Sequence, residues 1–200
     1  MGGTSIAINQ YSYKNLEIEI FNDFGFTPGP DNTHTYLAHY YAEGPESYCS
    51  SFHGVKIFGR ETEMNSCLLY GSGGSAGIYS NSSLLDNNRL VICCGDSLFC
   101  LNLPSLELQW NIQADMVTCF EVFKYENDYL VYGELEISRI NAEGKIQWSF
   151  SGADIFVSMD DEVSFTIQSD HIALVDFQGN KYQVDFDGKL IWDSINYPAH

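Results

Sequence analysis

The fold is decided by a stretch that occurs twice, Ile140-Asn-Ala-Glu-Gly-Lys-Ile-Gln-Trp148 and Val184-Asp-Phe-Asp-Gly-Lys-Leu-Ile-Trp192. A looser third copy, Leu101-Asn-Leu-Pro-Ser-Leu-Glu-Leu-Gln-Trp110, lies upstream with one more residue in its turn. The three tryptophans are 38 and 44 residues apart, which is typical of four-stranded propeller blades and not of helical or leucine-rich repeats. The sequence therefore predicts an all-β protein with about three propeller-like blades.

Each copy lies at the end of a group of short apolar runs, and each group predicts a four-stranded antiparallel meander. Turns at Gly95-Asp96, Gly133-Glu134 and Gly179-Asn180 separate these runs. We expect the remaining strand in the matched Ala-Asp openings of 114–123 and 153–157. The other predicted strands of the repeat region are 89–94, 98–103, 106–110, 129–132, 135–140, 145–148, 171–176, 182–184 and 189–192.

The residues that the copies share are structural. A lone blade cannot cover both faces of its sheet, so neighbouring blades must stack, with Trp110, Trp148 and Trp192 as wide fillers between them. Gly144 and Gly188 supply the positive φ that a tight hairpin needs. We expect their replacement to reduce stability and not activity.

The amino-terminal region, residues 1–78, contains no copy of the repeat. Its aromatic and β-branched runs predict an additional β-sheet packed on the repeat region of residues 79–200, the two forming one compact unit. The run 35–42 suits either period, and we assign it to a strand, although a helix is the alternative. The predicted strands are 16–21, 35–41, 55–58 and 67–70.

A glycine-rich run, Gly71-Ser-Gly-Gly-Ser-Ala-Gly77, joins the two regions. It follows an apolar run, as a dinucleotide-binding loop would, but phosphate binding also needs the free amides of a helix start. The following Ile78-Tyr-Ser-Asn-Ser-Ser is a poor helix opening. Composition therefore predicts a flexible connection.

The charge limits the possible partners. The chain has 27 acidic and 9 basic residues and a formal charge of −18, so its field repels nucleic acids and anionic membranes and attracts basic proteins. The start of the chain has neither a basic segment nor an apolar segment of a secretory leader, and no apolar run approaches the roughly 20 residues of a membrane span. We expect a cytoplasmic protein.

The six cysteines contain no C-x-x-C pair, and most lie in apolar runs. We expect reduced thiols in the core. The adjacent pair Cys93-Cys94 points to opposite faces of a strand, so a disulfide between them would need a distorted peptide.

The repeats resemble the Gly-Lys-x-x-Trp docking motif of the quinoprotein-type β-propellers over about residues 86–195. That resemblance implies that Trp148 and Trp192 dock one blade on the next, with Trp110 the weaker match because Leu106 replaces the glycine. Full propellers of that family have about eight blades, so the resemblance implies blade shape and not the quinone cofactor. We expect no cofactor.

The phrases Gly-Glu-Leu-Glu-Ile at 133–137 and Gly-Ala-Asp-Ile-Phe-Val at 152–157 resemble small acidic bacterial proteins, some of which are similar to immunity partners of polymorphic toxins. That resemblance implies a non-catalytic protein that neutralises a basic toxin domain. The charge points the same way, because carboxylates steer a basic partner and aromatic residues anchor it.

Two groups of residues are candidate sites. His34 and His39 form the most metal-like pair, but a spacing of five places them apart on either a helix or a strand, and we expect no metal. Asp160, Asp161 and Glu162 form the densest acidic cluster, which is either a solvated turn or a contact patch for a basic partner.

The sequence contains no recognisable catalytic motif, since it lacks a G-x-S-x-G elbow and its five histidines are scattered. We therefore predict a non-enzymatic, acidic protein-binding module, with an immunity protein as the specific hypothesis. One alternative is a glycan-binding or glycan-active protein with an aromatic groove and two carboxylates about 5 to 10 Å apart. A second alternative is a partial propeller that is completed by oligomerisation.

Overall fold

The structure, a computed structural model, describes residues 8–23, 26, 35–42, 49–74, 77–158 and 163–196. These residues form seventeen β-strands in four sheets and no helix. The prediction of an all-β fold with propeller-like blades and an additional amino-terminal sheet is confirmed. The described residues also contain no apolar helix long enough to cross a membrane.

The amino-terminal sheet has five strands in the order β1-β2-β4-β5-β3. All its pairs are antiparallel except β3, which runs parallel to β5, so the ambiguous run at 35–42 contributes a strand. The strands are β1 (Ile8–Tyr13), β2 (Leu16–Asn22), β3 (Ala38–Tyr41), β4 (Ser51–Gly59) and β5 (Thr62–Gly71).

Three antiparallel meanders follow, each with its strands in sequence order. The first blade has β6 (Ser83–Asp86), β7 (Arg89–Cys94), β8 (Ser97–Asn102) and β9 (Leu108–Gln113). The second has β10 (Cys119–Tyr125), β11 (Asp128–Gly133), β12 (Glu136–Ile140) and β13 (Ile146–Ser151). The third has β14 (Phe165–Ile167), β15 (Ile172–Val175), β16 (Lys181–Val184) and β17 (Leu190–Asp193).

The prediction for 153–157 is wrong, because this segment is irregular and β14 supplies the first strand of the third blade. The reason is local. Phe156 is fully buried between the second and third blades, and its amide donates to Glu134 O of the neighbouring turn at 2.7 Å. Because the Phe156 amide is bonded to this turn and its ring is buried, the segment does not pair with β15 as an edge strand. The matched opening at Ala114-Asp115 is likewise a loop, and its strand begins at Cys119.

Three apolar layers of the core lie between neighbouring sheets, and a fourth, smaller cluster lies on the outer face of the amino-terminal sheet. Ile18, Val55 and Leu69 of the amino-terminal sheet pack with Leu90 and Phe99 of the first blade, and all five are fully buried. Two further layers join the first blade to the second and the second to the third. The amino-terminal sheet therefore covers the face that the first blade turns away from the second.

The glycines at 71–74 form a packed junction and not the flexible spacer that their composition predicts. A Cβ at Gly71 would collide with the backbone of Cys94, and one at Gly73 would collide with Val117 O. Gly74 N also donates to Val117 O at 2.6 Å. Only residues without a side chain let the first sheet approach the turns of both following blades this closely.

Candidate functional site

The blades are joined by one repeated contact. Trp110 Nε1 donates to Ala142 O of the next blade at 3.0 Å, and its ring packs on Gly144, which has a φ of +77°. Trp148 Nε1 donates to Phe186 O at 3.0 Å, and its ring packs on Gly188. Each indole thus docks on the last turn of the following blade.

Two arginines donate to the same backbone carbonyls as the tryptophans. These arginine contacts were not predicted from the sequence. Arg89 Nη1 donates to Ala142 O at 2.7 Å, so this carbonyl accepts from both Arg89 and Trp110. Arg139 Nη1 donates to Phe186 O at 3.0 Å, and its Nε lies 2.6 Å from Asp128 Oδ2. The sequence signal was available: two of the three arginines in an acidic chain lie within predicted strands of the repeats, Arg89 in 89–94 and Arg139 in 135–140.

Trp192 occupies the equivalent position on the third blade, paired with Gln183 across the sheet. It is half-buried, and no turn of a further blade follows it among the described residues. The docking role that the sequence assigns to Trp192 therefore has no partner turn in the described part of the chain.

Alternating turns give every blade two distinct ends. We define the hairpin end as the end where β6–β7 and β8–β9 and their equivalents reverse. The link end is the opposite one, where β7–β8 and its equivalents reverse and the chain passes to the next blade. The amino-terminal sheet is oriented in the same way, so that β5 ends at the link end. There Ser72 O, just after β5, accepts a hydrogen bond from the amide of Asp96 in the first blade.

Basic residues are segregated between these ends. Eight of the nine lie at the hairpin end or in the strand halves next to it, and several are paired there, as in Lys124 with Asp86 at 2.8 Å. The only basic residue of the link end is Lys181. The hairpin-end residues are Lys14, Lys56, Arg60, Arg89, Lys124, Arg139, Lys145 and Lys189.

Carboxylates, by contrast, occur at both ends, so among the described residues the link end carries most of the unbalanced negative charge. Several of its carboxylates are half-buried and face the surface, whereas others are buried. The described members of this set are Asp23, Asp96, Asp115, Glu121, Glu134, Glu136, Asp154, Asp176 and Asp193.

The buried members hold the loops of the link end in place. Asp115 is 1% exposed and accepts four backbone amides, those of Val117 and Thr118 through Oδ1 and those of Leu135 and Glu136 through Oδ2. This carboxylate ties the link before β10 to the turn before β12. The charge is therefore fixed in place before any partner arrives.

Asp176 fixes the corresponding turn of the third blade. Its carboxylate accepts from Tyr182 Oη at 2.6 Å and from the amides of Gln178 and Asn180. Burial pushes the pKa of Asp176 up, but these hydrogen bonds outweigh it and hold the pKa below its ordinary value. The carboxylate therefore stays ionised at neutral pH.

A cleft of about 350 Å³ opens at the link end between the second and third blades. A β-bulge at Phe120 interrupts the pairing of β10 with β11 beside it. The Phe120 ring lies 5.3 Å from that of Tyr132, measured between centroids. Aromatic rings, two serines and one carboxylate line the cleft: Tyr79, Phe120, Glu121, Tyr132, Val157, Ser158 and Ser164.

Glu121 is the one carboxylate among the described residues that line this cleft. Partial burial raises its pKa, and a hydrogen bond from Asn81 offsets part of that shift. None of the ion pairs between described residues involves Glu121. The same partial burial, together with the Glu121 charge, raises the pKa of Tyr132 to about 12. The cleft thus holds a negative charge with little solvent to stabilise it.

A second depression of about 320 Å³ lies nearby at the same end. Glu136 and Asp154 contribute carboxylates to it, and Met116, which is 72% exposed, adds an apolar side chain at its rim. Partial burial and the neighbouring Asp115 raise the pKa of Glu136. Acidic and apolar groups therefore alternate across the link end.

The residues singled out from the sequence lie in several places. His39 is exposed on β3, with Nδ1 at 2.8 Å from Tyr70 Oη, and the described residues contain no group of three metal-ligating side chains. His34 and the acidic cluster Asp160, Asp161 and Glu162 lie outside the described residues. Of these predicted site residues, the structure therefore places His39 alone.

The fold and these contacts define a class: an all-β protein of stacked, propeller-like blades with an amino-terminal sheet over the first blade. No family model matches the chain, and a comparison with curated protein sequences finds no match. Among solved structures it is similar to BamB from Moraxella catarrhalis, a β-propeller, with 12% identity over 70% of this chain and 43% of that chain and a TM-score of 0.47.

Two computationally designed proteins are also similar. Ika8 has 12% identity over 94% of this chain and 61% of its own, with a TM-score of 0.49. Ika4 has 10% identity over 64% of this chain and 79% of its own, with a TM-score of 0.46. The chain thus spans less than two thirds of the length of BamB and of Ika8.

Proposed function

We propose that this protein is a non-catalytic, acidic binding module whose link end binds a basic protein, and that it acts as an immunity protein against a basic bacterial toxin. The observation that carries this proposal is the segregation of charge: nine described carboxylates share the link end with Lys181 alone. An unbalanced negative surface raises the association rate of a basic partner and repels acidic ones.

Rigidity supports the same function. The carboxylates of Asp115 and Asp176 are held by backbone amides, and the blades beneath them are joined by buried aromatic layers. A charged surface that is already ordered loses little conformational freedom when a partner binds. Such a surface favours high-affinity binding of a protein over a function that requires conformational change.

The protonation of three buried cysteines supports a non-catalytic role for them. Burial raises the pKa of Cys93 and Cys94 well above the ordinary thiol value, and it raises that of Cys100 to about 11. These thiols stay protonated at neutral pH, and the protonated form is a poor nucleophile. Their positions inside the core account for them as packing residues.

The proposal predicts a salt-sensitive complex. Each basic protein encoded next to the gene for this chain should be titrated into it by calorimetry at about 50 mM and about 500 mM NaCl. We expect one of them to bind, with an affinity that falls at least about tenfold at the higher salt, because ions screen the link-end field. Binding that is indifferent to salt, or no binding by any of these proteins, would contradict the proposal.

Glycan binding is a second candidate, and the aromatic cleft is the observation that favours it. Stacked aromatic rings and hydroxyl groups are also the groups that bind sugar faces and hydroxyls. Hydrolysis would need a second carboxylate, and Glu121 is alone among the described lining residues. The candidate is therefore sugar binding, which the neutral probes described below can separate from cation binding.

The outward face of the third blade argues against a propeller that a second copy of the chain completes. The equivalent face of the second blade is mainly apolar and packs on the third, whereas the third blade has smaller or polar residues at the matching register positions. By register, the replacements are Phe123 by Thr166, Leu130 by Ala173, Tyr132 by Val175, Ile137 by Lys181 and Arg139 by Gln183.

We therefore expect the chain to be a monomer of 22.5 kDa in solution. An outer face of small and polar residues has less need of a further repeat to cover it than the apolar face of the second blade has. Light scattering coupled to size-exclusion chromatography measures this mass. A stable dimer that dissociates when Trp192 is replaced by Ala would favour the stacked oligomer instead.

A further inference from the structure

We propose that the cleft of Tyr79, Phe120, Glu121 and Tyr132 is the anchor pocket for an arginine side chain of the partner. This proposal rests on the proposed function and names the group that its binding surface recognises. Electrostatic steering brings a basic protein to the link end, but a buried anchor is what gives an interface most of its affinity.

The shape and lining of the cleft fit a guanidinium group. A planar cation can stack on the face of one ring, such as that of Phe120, and contact the edge of the other, because the Phe120 and Tyr132 planes are inclined by 58° with centroids 5.3 Å apart. Arginine makes such stacked contacts and also donates to carboxylates in a fixed fork. Glu121 supplies the carboxylate, and the serines at 158 and 164 add hydroxyl oxygens at the wall.

The rings hold fixed positions before any ligand arrives. Tyr132 also stacks on Phe165 of the third blade, with centroids 5.0 Å apart, and its hydroxyl donates to Phe156 O. These contacts fix the Tyr132 ring between two blades. A preformed site needs little rearrangement to accept a side chain, so its binding energy is retained as affinity.

Charge accounts for the choice of a cation over a neutral group. Glu121 is half-buried and has no ion-pair partner among the described residues, so the Asn81 hydrogen bond stabilises its ionised form but no opposite charge does. A guanidinium would provide the missing opposite charge and would displace the water that partly solvates the carboxylate. A neutral sugar would provide hydrogen bonds but no charge.

The test is a titration of the isotopically labelled protein with N-acetyl-arginine-N-methylamide, followed by NMR. The matched neutral probe is the citrulline analogue, which has nearly the same shape but no charge, and a soluble chitooligosaccharide serves as the sugar probe. We expect the arginine probe to shift the signals of Phe120, Glu121 and Tyr132, and the citrulline and sugar probes to leave them in place.

Two variants make the test specific. Glu121→Gln should weaken binding of the arginine probe at least about tenfold, because the charge is lost while the shape is kept. Glu17→Gln, which removes one exposed carboxylate on β2, should leave binding unchanged. Equal binding of the citrulline probe, shifts caused by the sugar, or an unaffected Glu121→Gln variant would each overturn the arginine assignment.

Stability provides a second readout that does not depend on a ligand. A raised pKa means that the folded state favours the protonated carboxyl, so above that pKa the ionised Glu121 lowers stability. Glu121→Gln should therefore melt at the same temperature as the native protein or slightly higher at neutral pH, while losing the arginine probe. A lower melting temperature would show that Glu121 supports the fold instead.

Failure of this assignment is distinguishable from failure of the proposed function. If the basic partner binds Glu121→Gln as tightly as it binds the native protein, and with the same salt dependence, the acidic surface acts without this pocket. If no basic partner binds the native protein, the proposed function fails, whatever the arginine probe does.

Discussion

Replacing Trp148 with Ala is expected to reduce the free energy of unfolding by about 3 kcal/mol, because the indole fills the space between the second and third blades. Its removal leaves a cavity over Gly188 and takes one donor from Phe186 O, which then accepts from Arg139 Nη1 alone among the described residues. Urea unfolding followed by far-ultraviolet circular dichroism measures the change.

The matched control is Trp192→Ala. The same residue type in the same register position has no following turn to dock on among the described residues, so we expect a loss below about 1 kcal/mol. Equal losses for the two variants would mean that the tryptophans act within their own blades and not between blades.

Replacing Gly144 with Ala is expected to cost about 2 to 3 kcal/mol, for two reasons. Its φ of +77° strains any residue with a Cβ, and a Cβ there would lie 2.6 to 2.9 Å from three ring atoms of Trp110. The indole would have to leave the turn. Thermal and urea unfolding measure the loss, and binding of the basic partner should remain in whatever fraction stays folded.

Gly179→Ala separates the two contributions. Gly179 has a φ of +81°, but no atom lies within 4 Å of the position that a Cβ would take there, so only the backbone strain of about 1 kcal/mol is expected. If both variants lose the same amount, the contact between Gly144 and Trp110 adds nothing, and the docking account of the blades is wrong.

The blades could be predicted from the sequence because their determinants are local. Tryptophans recur 38 and 44 residues apart, two of them after a Gly-Lys turn, and short apolar runs bounded by turn residues lie between them. Strand β14 lies in the strand-like run 163–167, but it was not assigned to the third blade because its residues carry no repeat signal. The Ala-Asp match favoured 153–157, where Phe156 resembles a strand residue but anchors a loop. The arginine contacts could not be predicted either, because their acceptors are the backbone carbonyls of Ala142 and Phe186, and any residue type supplies such a carbonyl.

The candidate site was less predictable than the fold. Composition determines the sign of the net charge, but its distribution between the two ends depends on which turns point the same way. The cleft depends on a bulge at Phe120 and on the approach of Tyr79, which is far from Tyr132 in sequence. Such a juxtaposition arises only from the stacking of the blades.

The central claim is that the link end, and not the total charge, attracts a basic partner. Two variants with the same change in net charge test it: Glu134→Gln, Glu136→Gln and Asp154→Asn at the link end, and Glu107→Gln, Glu143→Gln and Asp187→Asn at the hairpin end.

The decisive measurement is the affinity of each variant for a fluorescein-labelled arginine-glycine peptide, read by anisotropy at about 50 mM NaCl. The account predicts that the link-end variant binds at least about tenfold more weakly than the native protein and that the hairpin-end variant changes less than about twofold. Equal weakening of both variants, or a larger effect at the hairpin end, would contradict it.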